Sequence, residues 1–286
     1  MTRSSASSFI LLVMGMFLSM PRIAHAAESY DNCTGFITSI PATITTQGTW
    51  CLKTDLATAI TSGNAITINT NNVTIDCNNF KLGGLAAGVG SQTVGILATS
   101  HLNTTVRHCN IRGFYAGIAF AGTGSGGHVV EDNRFDGNLY IGIDVEADGS
   151  TIRRNLVFDT GGSTHTINAE AIYAVGLVDV LDNTISGVLA TTGGGGAAQG
   201  IYTYSAGGTI SGNRVRGLVG DGAGGSYANY NLFSSRVSIH NNDFIGPGTQ
   251  GLHCFTGDGS FRDNLISGYT ASNDFCTDGG GNAIVP

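Results

Sequence analysis

Hydrophobic and polar positions recur along this chain with a long period. An apolar residue stands at Val106, Val130, Ile152, Val180, Ile210, Ile239 and Phe261. Three residues after each comes a small polar residue, Asn133, Asn155, Asn183, Asn213, Asn242 or Asn264, with Cys109 in the same slot of the first copy. Two residues further on a second apolar column runs through Ile111, Phe135, Val157, Ile185, Val215, Phe244 and Ile266. A turn residue closes the unit at Gly113, Gly137, Gly187, Gly217, Gly246 and Gly268, with Asp159 as the exception. Ile75, Asn78, Phe80 and Leu82 form an earlier copy whose glycines are displaced to Gly83 and Gly84. Copies are spaced by 22 to 31 residues, which accommodates three short strands and three turns. Repetition at such a period predicts a solenoid, because no single unit could bury its apolar column alone. An Asn at a fixed corner can hydrogen-bond the Asn above and below and tolerates left-handed backbone, and the Gly after it permits positive φ.

A second motif recurs in phase: Gly95-Ile96, Gly117-Ile118, Gly142-Ile143, Ala171-Ile172, Gly200-Ile201 and Gly251-Leu252. It opens another strand of each coil. Side chains alternate along a strand, so Ile143 and Val145 are expected inside, with Asp144 and Glu146 in solvent. The expected fold is all-β, a single-stranded right-handed parallel β-helix of about eight coils. Residues 65–268 form the helix, with 27–64 as an N-terminal capping segment and 269–286 as a C-terminal tail or cap.

Those columns resemble the parallel β-helix repeats of the pectin-lyase-like superfamily, over roughly Ile66 to Ser267. The superfamily includes polysaccharide lyases, polygalacturonases, alginate epimerases, phage tailspikes and periplasmic maturation factors. The resemblance therefore implies a fold strongly and an activity weakly. The polygalacturonase signatures Asn-Thr-Asp, Asp-Asp, Gly-His-Gly and Arg-Ile-Lys are absent, as is the Asp-Pro-His of alginate epimerases.

The N-terminus adds a compartment. Arg3, the apolar stretch Phe9 to Met20 and the small-x-small site Ala24-His25-Ala26 read as a secretory signal peptide over 1–26. Export to a periplasm or medium, without a membrane anchor, is the expectation. The chain carries net charge −7, and removal of Arg3 and Arg22 makes the remainder two charges more negative. Such a surface argues against nucleic acid and anionic membranes as partners. It suits an acidic substrate only if a cation such as calcium bridges the two. No other cofactor is expected, and a monomer is. Six cysteines in an exported chain predict disulfides, and local spacing pairs Cys33 with Cys51, Cys77 with Cys109, and Cys254 with Cys276. No C-x-x-C occurs, so a zinc knuckle has no support.

The surface that most suggests chemistry is the outward row of the Gly–Ile strands: Leu97, Ala119, Asp144, Tyr173, Tyr202 and His253. Glu146 stands beside Asp144, and Tyr204 beside Tyr202. Aromatic rings cover the C–H faces of sugars and carboxylates accept their hydroxyls, which makes Tyr173, Tyr202 and His253 candidate ligand-binding residues. Asp144 and Glu146, two residues apart or about 6.6 Å along a strand, are the candidate catalytic pair. That spacing is near the lower bound for inverting glycosidases. The plainer alternative is that Tyr is a good exposed strand former and that acids keep the surface soluble. Three functions follow in order of preference: a carbohydrate-binding solenoid, a polysaccharide lyase or glycoside hydrolase, and a structural or adhesive solenoid without a ligand. Polysaccharide is the partner in the first two.

Overall fold

The computed structural model describes residues 30–233, 236–255 and 259–286. Cys33–Pro286 form one compact unit, while a separate short unit, Met1–Asn32, lies almost wholly outside the described residues. Residues 1–26, where a signal peptide is expected, lie outside the described residues.

The chain winds through three parallel faces per coil. One carries the Gly–Ile strands, such as Ala116–Ala121 and Ile141–Glu146, and is called here the tyrosine face. After a turn the chain enters the second face, with strands such as Val129–Glu131 and Ser150–Arg153. The asparagine corner then leads to the third, with strands such as Arg134–Asp136 and Leu156–Gly161. Every strand pairs in parallel with its counterpart one coil away. Val130 aligns with Val106 and Ile152, Phe135 with Ile111 and Val157, and Ile143 with Ile118 and Ile172. All nine of these side chains are fully buried. The apolar columns seen in the sequence are thus three rows along one interior, each side chain contributing about 1.5–3 kcal/mol by leaving water.

The asparagine corner works by repetition. Asn155 Nδ2 donates to Asn183 Oδ1 at 3.0 Å and its backbone N–H donates to the same oxygen at 2.9 Å. Asn183 repeats both bonds to Asn213, Asn213 to Asn242, and Asn242 to Asn264. One correction concerns the backbone. The left-handed residue is not the ladder Asn but the one before it: Asp132 (φ 55), Arg154 (φ 53), Asp182 (φ 54), Asn241 (φ 56) and Asp263 (φ 55). The ladder Asn is thereby freed to turn its amide inward. Asp159, which departs from the glycine column, also takes positive φ (51).

The parallel register reaches further than the sequence signature. Ala42–Ile44, Gly48–Cys51 and Leu56–Ala57 pair with Asn64–Ile68, Val73–Asp76 and Lys81–Gly83. At the other end Asn282 accepts from Asn264, and Ala283–Val285 pairs with the strand Leu265–Asp274. Among the described residues, at least ten strands stack on each face, two more than the eight or so coils that carry the signature. The last coil keeps the corner through Asn282 but stands only 18 residues after Asn264, short of the spacing of the other copies. Cys33–Cys51, Cys77–Cys109 and Cys254–Cys276 are all formed, with Cα separations of 5.8, 4.7 and 5.0 Å. Cys109 caps the ladder: its N–H donates to Asn133 Oδ1 at 3.0 Å while its sulfur bonds the coil before. Among the described residues, no helix is long and apolar enough to cross a membrane.

Candidate functional site

The tyrosine face is built by a close approach between coils. A Cβ on Gly142 would stand 2.6 Å from the Ala171 carbonyl oxygen, and one on Gly117 would stand 2.5 Å from that of Gly142. Small residues before each Ile let the strands close up, and the outward residues that follow then stack in register. That row runs Thr67, Leu97, Ala119, Asp144, Tyr173, Tyr202, Tyr230, His253 and Asp274.

Tyr230 was not visible in the sequence pattern. Its strand, Ser226–Leu232, has Ala228-Asn229 where other coils have Gly-Ile, so a polar residue occupies the inward position between Ile201 and Leu252. Asn229 is fully buried, and its amide donates to the Ile201 carbonyl at 3.2 Å and accepts from Asn231 at 2.8 Å. The Thr203 hydroxyl donates to Asn231. The hydrogen bonds offset the burial of two amides, and the strand keeps register without an apolar residue. A search for the Gly–apolar motif therefore passes over it.

With Tyr230 in place the aromatic row is continuous. The Tyr173 and Tyr202 ring centroids are 5.0 Å apart, Tyr202 and Tyr230 are 5.3 Å apart edge to face, and Tyr230 stacks on His253 at 4.7 Å. Tyr227 joins from the strand's beginning, 5.0 Å from Tyr230. A second aromatic row lines the corner: Tyr204 lies 5.9 Å from Phe233, and Phe233 lies 5.4 Å from Phe255. Phe233 and Phe255 are about half exposed.

The acid pair read from the sequence is in fact a group of three. Glu170 stands in register with Ile141, on the coil after Asp144, and is almost completely buried. The Tyr140 hydroxyl donates to Glu170 Oε1 at 3.1 Å. Burial raises the Glu170 carboxyl to about 7, although the Tyr140 hydrogen bond opposes the rise. Asp144 departs from the solvent-facing placement expected of it. It is half-buried, and its Oδ1 is enclosed without a hydrogen-bond partner among the described residues. Burial, then the neighbouring charges of Glu146 and Glu170, raise its carboxyl well above the ordinary aspartate range. Tyr173 stands in register with Asp144 on the next coil. Glu146 remains exposed. The same burial raises the hydroxyls of Tyr140 and Tyr173, and takes Tyr202 to about 12.

The structure thus brings Asp144, Glu146, Tyr173 and Tyr202 together, adds Glu170, Tyr140 and Tyr230, and joins His253 through Tyr230. His253 Nδ1 lies 3.2 Å from Asp274 Oδ2 in a misaligned contact. The signal that could have found Glu170 was an acid directly before the Ala171-Ile172 pair, where other coils carry Val94, Ala116, Ile141 or Gln199. Among the described residues, no group of three or more His, Cys, Asp and Glu side chains is arranged to hold a metal ion. The carboxyls of this face instead meet hydroxyls and rings.

Residues 57–197 match the family model for a right-handed β-helix region. Among solved structures, the chain is similar to an alginate lyase from Paenibacillus sp. str. FPU-7, at 14% identity and TM-score 0.54, covering 85% of this chain and 97% of that one. It is also similar to the Dettilon tailspike protein, at 12% identity and TM-score 0.49, covering 87% of this chain and 51% of that one. The A-module of a mannuronan C-5 epimerase from Azotobacter vinelandii matches at 14% identity and TM-score 0.38, covering 83% of this chain and 81% of that module. At these identities the likeness concerns the fold. No curated protein matches the chain in sequence.

Proposed function

From a chain that is a right-handed parallel β-helix, we propose a carbohydrate-binding protein of an oxidising, extracytoplasmic compartment that holds a polysaccharide along its tyrosine face. The observation that carries this reading is the unbroken row Tyr173, Tyr202, Tyr230 and His253, ending on the carboxyls of Asp144, Glu146 and Glu170. Aromatic rings repeated once per coil offer apolar surface to successive sugar units. Acids at the row's end accept or donate hydrogen bonds to hydroxyls. Three disulfides suit an oxidising compartment. A solved structure of similar fold, covered over 97% of its own length, is an alginate lyase, and a polysaccharide ligand for this chain accords with that fold. Calorimetric titration with a panel of neutral and uronate-containing polysaccharides tests the proposal. Saturable binding that is lost in Tyr202→Ala/Tyr230→Ala supports it, and unchanged binding in that variant rules out this face.

A second reading, glycoside hydrolysis, is favoured by one further observation: Asp144, a carboxyl with raised pKa, lies two residues from the exposed Glu146 on one strand. A carboxyl kept protonated near neutral pH is suited to donate a proton to a leaving glycosidic oxygen. In this reading Asp144 is the acid and Glu146 the base that activates water. Reducing-sugar release from the polysaccharide that binds, abolished in Asp144→Asn and Glu146→Gln, is the expected result. Binding without any product would leave the protein a binder.

A further inference from the structure

The third face carries a feature that the tyrosine face does not use. Lys81, Asn110 and Arg134 stack in register on three successive coils, and Arg112 stands two residues beyond Asn110 on the same side of its strand, with Ile111 buried between them. Stacked strands are about 4.8 Å apart and alternate residues about 6.6 Å apart along a strand. Two cations therefore flank Asn110 along the helix axis, with a third beside it. The residues enclose a recess of about 330 Å³ that Asp55, Asn79 and Asp136 also line. On the coil before, the residue in register with Arg112 is Gly83, which puts no side chain over the guanidinium.

The two acids of the recess are already engaged. Asp55 accepts the Lys81 backbone N–H at 2.8 Å and its carboxylate lies 3.1 Å from Lys81 Nζ. Those contacts, the backbone hydrogen bond foremost, hold its pKa below the ordinary aspartate range. Asp136 lies 3.4 Å from Arg134, whose guanidinium also covers the Phe158 ring at 4.7 Å. Arg112 differs. It forms no ion pair among the described residues, and its Nε is buried with no hydrogen-bond partner. Elsewhere on the second face and the asparagine corner the arginines are paired: Arg107 with Asp76, Arg153 with Glu131, and Arg154 with Glu131 and Asp132. A buried donor without an acceptor is costly, and a guanidinium presents a fixed fork that matches an oxyanion. The recess holds three cations against two anions on a chain of net charge −7.

We propose that the recess around Arg112 is a binding site for a single oxyanion, a carboxylate or sulfate, held by the Arg112 fork with Lys81 and Arg134 beside it. A group free in solution and one borne on a sugar present the same oxygens, and the test separates them. Isothermal titration calorimetry at constant ionic strength would use three probes: inorganic sulfate, glucuronate and glucose 6-sulfate. Saturable binding of at least one is expected in the full chain, weakened about tenfold or more in Arg112→Gln and less in Arg112→Lys. A sugar-borne probe that binds more tightly than inorganic sulfate assigns the site to an acidic glycan. Equal affinities assign it to the oxyanion alone. Arg262→Gln, which removes an exposed guanidinium outside the recess, serves as the control and should bind these probes as the parent does; inorganic sulfate offers no sugar face, so failure here is distinct from failure of the tyrosine-face reading. Unfolding midpoints confirm that the Arg112 variants are folded. No saturable heat with any probe, or equal affinity in Arg112→Gln, overturns the proposal.

Discussion

The asparagine corner and the tyrosine face obey the same geometric rule and put it to opposite ends. Both set one side chain per coil directly above the next. At the corner the stacked residues are identical, and each amide satisfies its neighbour: Asn183 accepts two hydrogen bonds from Asn155 and donates to Asn213 and to the Ile152 carbonyl. On the tyrosine face the stacked residues differ. Hydrogen-bonding capacity is left over, as at the enclosed Asp144 Oδ1, and ring faces remain open. A repeat of like residues closes on itself and stabilises the fold. A row of unlike residues leaves groups for a ligand, at a cost in desolvation that the rest of the coil must offset.

That contrast can be broken most sharply at its stable side. Phe135→Ala empties a fully buried position and is expected to cost about 3–5 kcal/mol, measured by urea unfolding, with the transition still cooperative. Asn183→Ala removes four hydrogen bonds in mid-ladder and is expected to cost about 2–4 kcal/mol. A loss below about 1 kcal/mol would show that the ladder is a passenger of the apolar rows. Tyr202→Ala/Tyr230→Ala should shift stability by only about 1 kcal/mol, since aromatic pairs contribute about that much beyond burial, while lowering polysaccharide affinity at least tenfold. A large stability loss there would make the row structural.

The last test is a pH dependence. The Glu170 carboxyl is raised in the folded state to about 7 from 4.5. Between those values the native state binds more protons than the unfolded chain, so stability falls as pH rises. Below 4.5 both states are protonated and the slope vanishes; above about 7 it vanishes again. Glu170→Gln should flatten thermal midpoints across that window and raise stability at pH 8. A slope left unchanged by Glu170→Gln would place the titrating group elsewhere, with Asp144 next in line because its shift has the same sign.

Much of the fold was legible because the residues that build it are repeated. Val106 through Phe261 and Asn133 through Asn264 are recognisable without neighbours, and spacing of one coil pointed to a pairing of Cys254 with Cys276. The site was legible in part. Asp144, Tyr173 and Tyr202 follow a motif that recurs, so their common row could be read. Tyr230 could not, because Asn229 and Asn231 satisfy each other inside and hide the apolar signal. Glu170 was passed over because an acid before Ala171 reads equally as a solvated residue until its neighbours are known. The Tyr140 hydroxyl that meets it comes from the coil before, 30 residues earlier in the chain.

The sequence by itself determined that the chain stacks and where its coils turn, since those properties reside in residue types repeated at one period; the structure decided which cysteines pair. Only the tertiary structure decided which unlike residues share a surface, that one oxygen of Asp144 is enclosed, and that the Arg112 Nε is buried without a partner among the described residues. The physical reason is that desolvation and charge depend on what the adjacent coils bring within a few ångströms, and loops of unequal length separate those neighbours along the chain.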